Sequence, residues 1–124
     1  ALFLGILIAT LTIRLKPNAE SEWTSLATPL LLLAVPILDT SVAVKKRLKR
    51  RISPFQGGHD HLSHRLIRGG LSRKSAAVTL WAMSAFFSFF AYLIIKLSKL
   101  NEEIAVALAS LAWVGLLIYF LMKR

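Results

Sequence analysis

AAVTLWAMSAFFSFFAYLIIKL (76–97) and IAVALASLAWVGLLIYFLM (104–122) decide the fold class. As an α-helix rising 1.5 Å per residue, each is about 30 Å long, enough to cross a hydrocarbon core of about 30 Å. The first is rich in Phe and runs out at Tyr92, Lys96 and Lys99; the second closes on Lys123-Arg124. Aromatic and basic residues of this kind favour the membrane–water boundary. Asn101-Glu102-Glu103 predicts a tight hairpin between the two spans, with the acids in a first helical turn, where the helix dipole favours them.

Upstream, Leu26–Val44 is a third apolar block of spanning length, preceded by Trp23 at the position of an interfacial anchor. Pro29 falls in its first turns, where a missing N–H costs little, whereas Pro36 lies inside and predicts a kink. Ala1–Ile13 is apolar apart from Thr10 and Thr12, too short to cross alone, and is followed by Arg14, Lys16 and the helix-ending Pro17-Asn18. It opens without Met or a basic leader, unlike a signal peptide, which predicts the end of a helix that begins outside this chain. The expected fold is all-α and membrane-embedded. It has about four hydrophobic helices (about 1–15, 26–44, 76–97 and 103–122), the first truncated, and one basic cytoplasmic loop, 45–75.

Composition agrees. The 124 residues are 56% hydrophobic and only 18% charged, against about 25% in ordinary soluble domains. Yet 16 Lys+Arg oppose 6 Asp+Glu, a net charge of +10, and the pI is near 10.8 at a mean hydropathy of +0.62. With no Cys, a disulfide framework, a thiolate metal site and a cysteine nucleophile are excluded. The charge is concentrated: ten of the 16 basic residues fall in Lys45–Lys74, opposed there by Asp60 alone, while the other side of the membrane balances to zero. By the positive-inside rule, this loop and the C-terminus are cytoplasmic in a multi-pass protein of the inner, or cytoplasmic, membrane.

The loop has internal order. Lys45–Arg51 continues the preceding helix; Ser53-Pro54 breaks it; Phe55 can dip into the interface; Gly57-Gly58 gives a turn. His59–Arg68 then predicts a short helix with Asp60 as N-cap and Gly69-Gly70 as its end, and Ser72 as N-cap of the next span. In that helix His61, His64, Arg65 and Arg68 stand at i, i+3, i+4 and i+7 on one face, with Leu62 and Leu66 on another. Two imidazoles and two guanidiniums near a helix N-terminus suit phosphate: Arg gives forked donors, and His donates to an oxygen or carries a proton near neutral pH. Two other readings stand beside this one. A charge run is most often just a solvated face, and His-x-His-x-x-His offers three nitrogens to a metal, although a closed zinc site is disfavoured without Cys and beside Arg65. With Phe55 as its one aromatic, the loop lacks the stacking platforms of single-strand nucleic-acid binders.

Taken in order, Pro36-Ile37-Leu38-Asp39-Thr40, the basic run, Ser53-Pro54-Phe55, Asp60-His61-Leu62-Ser63-His64-Arg65-Leu66 and Gly70-Leu71-Ser72 resemble the polyprenyl-phosphate N-acetylhexosamine-1-phosphate transferases (glycosyl transferase family 4). The pattern looks closer to the N-acetylglucosamine branch. Ala1–Gly5 resembles the stretch that follows that family's Gly-Asp-x-Gly element, and the resemblance extends to about Ala77. It departs from the family at Ser63, where His is commoner, and at Gly58, where an acid is common.

The resemblance implies transfer of sugar-1-phosphate from a UDP-sugar to undecaprenyl or another polyprenyl phosphate, with release of UMP, in cell-envelope polysaccharide synthesis. It implies His61 and His64 as catalytic residues, Arg65, Arg68 and Asp60 as binders of substrate phosphate, and Asp39 as a residue supporting the site. An acid near the end of a span is costly and so a functional candidate; the alternative for Asp39 is an ion pair with a Lys or Arg of the loop. It also implies Mg²⁺, whose ligands are expected upstream of residue 1, so that no metal site is expected within this chain. It leaves the oligomeric state open, a homodimer included. The competing reading is a small multi-pass membrane protein whose basic loop binds anionic lipid. On the transferase reading these 124 residues alone release no UMP from UDP-sugar and lipid phosphate; release by the purified chain would overturn that expectation.

Overall fold

A computed structural model describes residues 6, 7, 10, 22–53, 61–96 and 99–122, with side chains given for all of these but 22–25, 99 and 100. Five helices follow in chain order: α1 (Glu22–Leu32), α2 (Ala34–Lys49), α3 (Leu62–Arg68), α4 (Arg73–Lys96) and α5 (Lys99–Met122). There is no strand among the described residues. The fold is all-α and membrane-embedded, as the lengths of the apolar blocks predict. Two helices, Arg73–Lys96 and Asn101–Met122, are long and apolar enough to cross a membrane; Leu26–Leu32 and Ala34–Lys49, bent by 71° at their break, pass only when taken together as one span. Most of the expected first helix, and the side chain of Trp23, lie outside the described residues.

Three of the boundaries that differ from expectation do so for a local reason. The block placed at 26–44 is two helices over 22–49, because Pro36 has no N–H for the carbonyl of Leu32 and its ring crowds that oxygen. The break therefore falls one turn upstream of the proline, at Leu33, where Leu33 N–H still donates to Pro29 O at 3.2 Å and Ile37 N–H to Leu33 O at 3.0 Å. Trp113 of α5 holds the break, its indole Nε1–H donating to Ala34 O at 2.9 Å. The second difference is the hairpin expected over Asn101-Glu102-Glu103: α5 already begins at Lys99, so these residues sit in its opening turns, with Glu102 in the first turn as expected. Residues 97 and 98 lie outside the described residues.

The third difference is at Arg51. The basic run continues α2 only to Lys49, and the helix closes with Arg51 in the left-handed region at φ 58. Arg51 N–H donates to Leu48 O and Ile52 N–H to Arg47 O, the paired bonds that satisfy a helix end. The same closure ends α3 as expected: Gly70 takes φ 100, Gly70 N–H donates to Ile67 O and Leu71 N–H to Leu66 O. Ser72 caps α4 as expected, its Oγ accepting from Ser75 N–H at 3.1 Å.

Packing forms two clusters. One joins the α1–α2 break to α4 and α5 through Leu31, Val35, Phe87 and Ile94, with Ala34, Ala91, Ala105 and Ala109 allowing close helix approach. The other, at the end of the bundle that carries the basic loop, holds Leu38, Val42, Ala76 and Phe120 around Leu62 and Leu66. It is this second cluster that seats α3. Large apolar side chains such as Trp81, Phe89, Leu111 and Met122 point outward, as a lipid solvent permits.

Gly70 and Gly115 make a paired test, since a Cβ would meet nothing within 4 Å at either. Gly70→Ala should lower the stability by about 1–2 kcal/mol through its positive φ alone. Gly115→Ala, within a helix, should raise it by about 0.5–1 kcal/mol. Thermal melting in detergent reads both, and the opposite signs are the check.

Candidate functional site

Asp39 organises the end of the bundle that bears the loop. It follows Leu38, which is fully buried, so its carboxylate leaves α2 at the margin of the second cluster, only 28% exposed. One oxygen, Oδ2, lies 2.7 Å from His61 Nδ1, and the other, Oδ1, accepts the N–H of Leu62 at 2.5 Å. Leu62 is the first residue of α3, and an N–H there has no partner within its own helix. A carboxylate borrowed from α2 thus does what an N-cap side chain does elsewhere.

His61 departs from the predicted stripe. The helix starts at Leu62, and His61 stands at its N-cap with ψ 153, its side chain making no cap bond. The ring is turned to Asp39 instead of following His64, Arg65 and Arg68 along the helix. This contact has a chemical consequence. The carboxylate requires a proton on Nδ1, which leaves Nε2 to accept a proton, or to donate one once the ring is charged. With half of the residue exposed, Nε2 has access to a ligand. The partner found for Asp39 is therefore a histidine of the loop, in place of the Lys or Arg weighed from the sequence.

The remaining predicted residues lie close by. Leu62 and Leu66 are buried, so α3 turns His64 and Arg68 outward and leaves Arg65 half-buried at its flank. Arg65 and Arg68 lie within electrostatic reach of Lys46, beyond the apolar part of α2, as do Arg50 and Lys49. Burial first, and then these four like charges, hold the Lys46 ammonium below its usual value. Sequence reasoning counted Lys46 only as part of a run; it is the packing of α3 on α2 that makes it a neighbour of Arg65. Asp60, with His59 and Phe55, lies outside the described residues, so its expected phosphate role is not placed; the N-cap position expected of it is held by His61, because the helix starts at Leu62.

A cleft of about 320 Å³ opens beside Asp39, between α2, α3 and α4, with Ser63 and Ser84 as its other polar lining. Ser63, the departure from the family pattern, thus sits at the site and not away from it. Among the described residues no three His, Asp or Glu side chains converge. With one oxygen on the His61 ring and the other on the Leu62 N–H, Asp39 is placed to orient the imidazole.

Two relatives match the chain. It is 28% identical over 97 residues to an undecaprenyl-phosphate alpha-N-acetylglucosaminyl 1-phosphate transferase of Yersinia pestis, covering 78% of this chain and 26% of that protein. It is 30% identical over 88 residues to a probable undecaprenyl-phosphate N-acetylglucosaminyl 1-phosphate transferase of Bacillus subtilis (strain 168), covering 71% of this chain and 24% of that one. The chain thus spans about a quarter of the length of the curated relatives it matches. No family model and no solved structure matches it.

Removing the borrowed cap should loosen α3 before anything else. In Asp39→Ala, amide exchange at Leu62 is expected to speed by at least about fivefold, the equivalent of about 1 kcal/mol for a lost cap. Exchange in the middle of α4 should not change. Equal protection of Leu62 in both proteins would show that the carboxylate does not hold the helix.

Proposed function

We propose, for a chain that belongs to the polyprenyl-phosphate N-acetylhexosamine-1-phosphate transferase family, that it supplies the phosphate-handling cytoplasmic face of an enzyme moving N-acetylglucosamine-1-phosphate from a UDP-sugar to undecaprenyl or another polyprenyl phosphate. In this reaction an oxygen of the lipid phosphate attacks the sugar-bearing phosphorus of the UDP-sugar. The bond from that phosphorus to the bridging oxygen breaks, and UMP leaves. The product serves cell-envelope polysaccharide synthesis. Loop 45–75 and the C-terminus face the cytoplasm, and the protein lies in the inner, or cytoplasmic, membrane.

The observation that carries this reading is the Asp39–His61 contact at 2.7 Å, set at the start of a helix that bears His64, Arg65 and Arg68. Phosphoryl transfer is limited by charge and alignment more than by covalent chemistry. Arg65 and Arg68 bind phosphate oxygens in a low-dielectric interface, where fixed cations act most strongly. His61, held by Asp39, presents Nε2 for a proton of the phosphate groups, and His64 offers a second imidazole on the outer face of α3. Asp39 is a positioning residue: it touches His61 and the α3 backbone. In such transfers Mg²⁺ neutralises charge between the phosphates. Among the described residues no three His, Asp or Glu side chains gather to hold that ion, and no step here runs through it.

Measured in the native protein by UMP release, His61→Ala and His64→Ala should each lower kcat by about 10²–10⁴-fold, as loss of a proton-transfer or phosphate-contact group does. Asp39→Asn should lower kcat with KM for the UDP-sugar nearly unchanged, because the amide no longer fixes the orientation of the ring. If the histidine variants kept full turnover while neutralising Lys45–Arg51 abolished membrane function, the loop would be a lipid-binding element and the transferase reading would fail.

A further inference from the structure

Beyond the cleft at Asp39, an open groove of about 730 Å³ runs between the basic end of α2 and the last turn of α5. Its α2 wall is Lys45, Lys46, Lys49 and Arg50, and its α5 wall is Leu121 and Met122. We propose that this groove binds the phosphodiester headgroup of an anionic glycerophospholipid of the cytoplasmic leaflet, with Leu121 and Met122 against the start of its acyl chains. The proposal rests on the orientation of the loop and not on the transferase reaction.

Charge and polarity select this occupant. Four cations line one side of a single groove, and the cations around Lys46 already crowd one another, so an anion placed among them relieves repulsion as well as gaining attraction. Free phosphate would use the cations but not the apolar wall, where Met122 is 77% exposed. A leaflet lipid uses both, since α5 is long and apolar enough to cross a membrane and Met122 is its last residue, beside the cations of α2. The acceptor lipid of the proposed reaction is disfavoured, because the groove shares no lining residue with the cleft at Asp39.

The test is native mass spectrometry of the native protein released from nanodiscs of equal parts phosphatidylglycerol and phosphatidylcholine. The wild type is expected to retain phosphatidylglycerol preferentially. Lys45→Gln/Lys49→Gln should reduce that preference at least about fivefold, since each interfacial cation contributes at about that level. Arg73→Gln/Lys74→Gln, which removes the same charge from exposed positions outside the groove, should keep it. Met122→Glu, which leaves every cation in place, should also lower retention. An equal loss in the Arg73/Lys74 double variant, or no preference in the wild type, would overturn the proposal. So would displacement by inorganic phosphate, which would make the groove a headgroup-only site, or displacement one-for-one by polyprenyl phosphate, which would make it an acceptor site. UMP release from the same preparations reports on the transferase reading separately; its absence would leave the lipid result standing.

Discussion

The carboxylate of Asp39 joins two parts of the molecule that the chain keeps more than twenty residues apart. It accepts from the backbone of Leu62 and from the ring of His61 at once, so one side chain sets where α3 begins and which way the imidazole faces. Both functions depend on α2 being rigid at that point. Rigidity comes from Leu38 and Val42, which pack the adjoining face of α2 against Leu62 and Leu66. The apolar contacts fix the position of α3, and the carboxylate fixes its start and the ring that precedes it. An acid at this depth would be costly if unpaired, and here each of its oxygens has a donor.

How much of this was legible in the sequence depends on the range of the interaction. The spans were visible because hydrophobic length is a local property. The end of α3 was visible because Gly69-Gly70 announces a left-handed closure, and Ser72 because a hydroxyl before a helix is a cap. Leu62 and Leu66 were visible as a spacing. What the pattern misplaced was His61: the helical stripe assumed the helix began before it, and only the arrival of Asp39 from another helix shows why it begins after. Arg51 carries no such announcement, since its left-handed backbone at φ 58 is paid for by the bonds of the helix end and not by a glycine. The break at Leu33 was legible as a kink, though its place one turn before Pro36 follows from the carbonyl the proline leaves behind.

The basic residues divide by what surrounds them. Arg65 and Arg68 belong to α3, whereas Lys45 and Lys49 line the groove beside the end of α5. Lys46 touches both groups electrostatically. Composition counts these cations alike; the packing of α3 and α5 against α2 is what separates them.

The bend of 71° between α1 and α2 also bears on bilayer thickness. If α2 stands along the membrane normal, α1, about 16 Å long at 1.5 Å per residue, climbs only about 5 Å and runs sideways for the rest. The apolar part of α2 adds about 16 Å before Lys45, so the pair matches some 22 Å of hydrocarbon against the usual 30 Å or so. A bilayer meets such a shortfall by thinning around the protein. Thinning would draw the water boundary down toward Asp39 and His61.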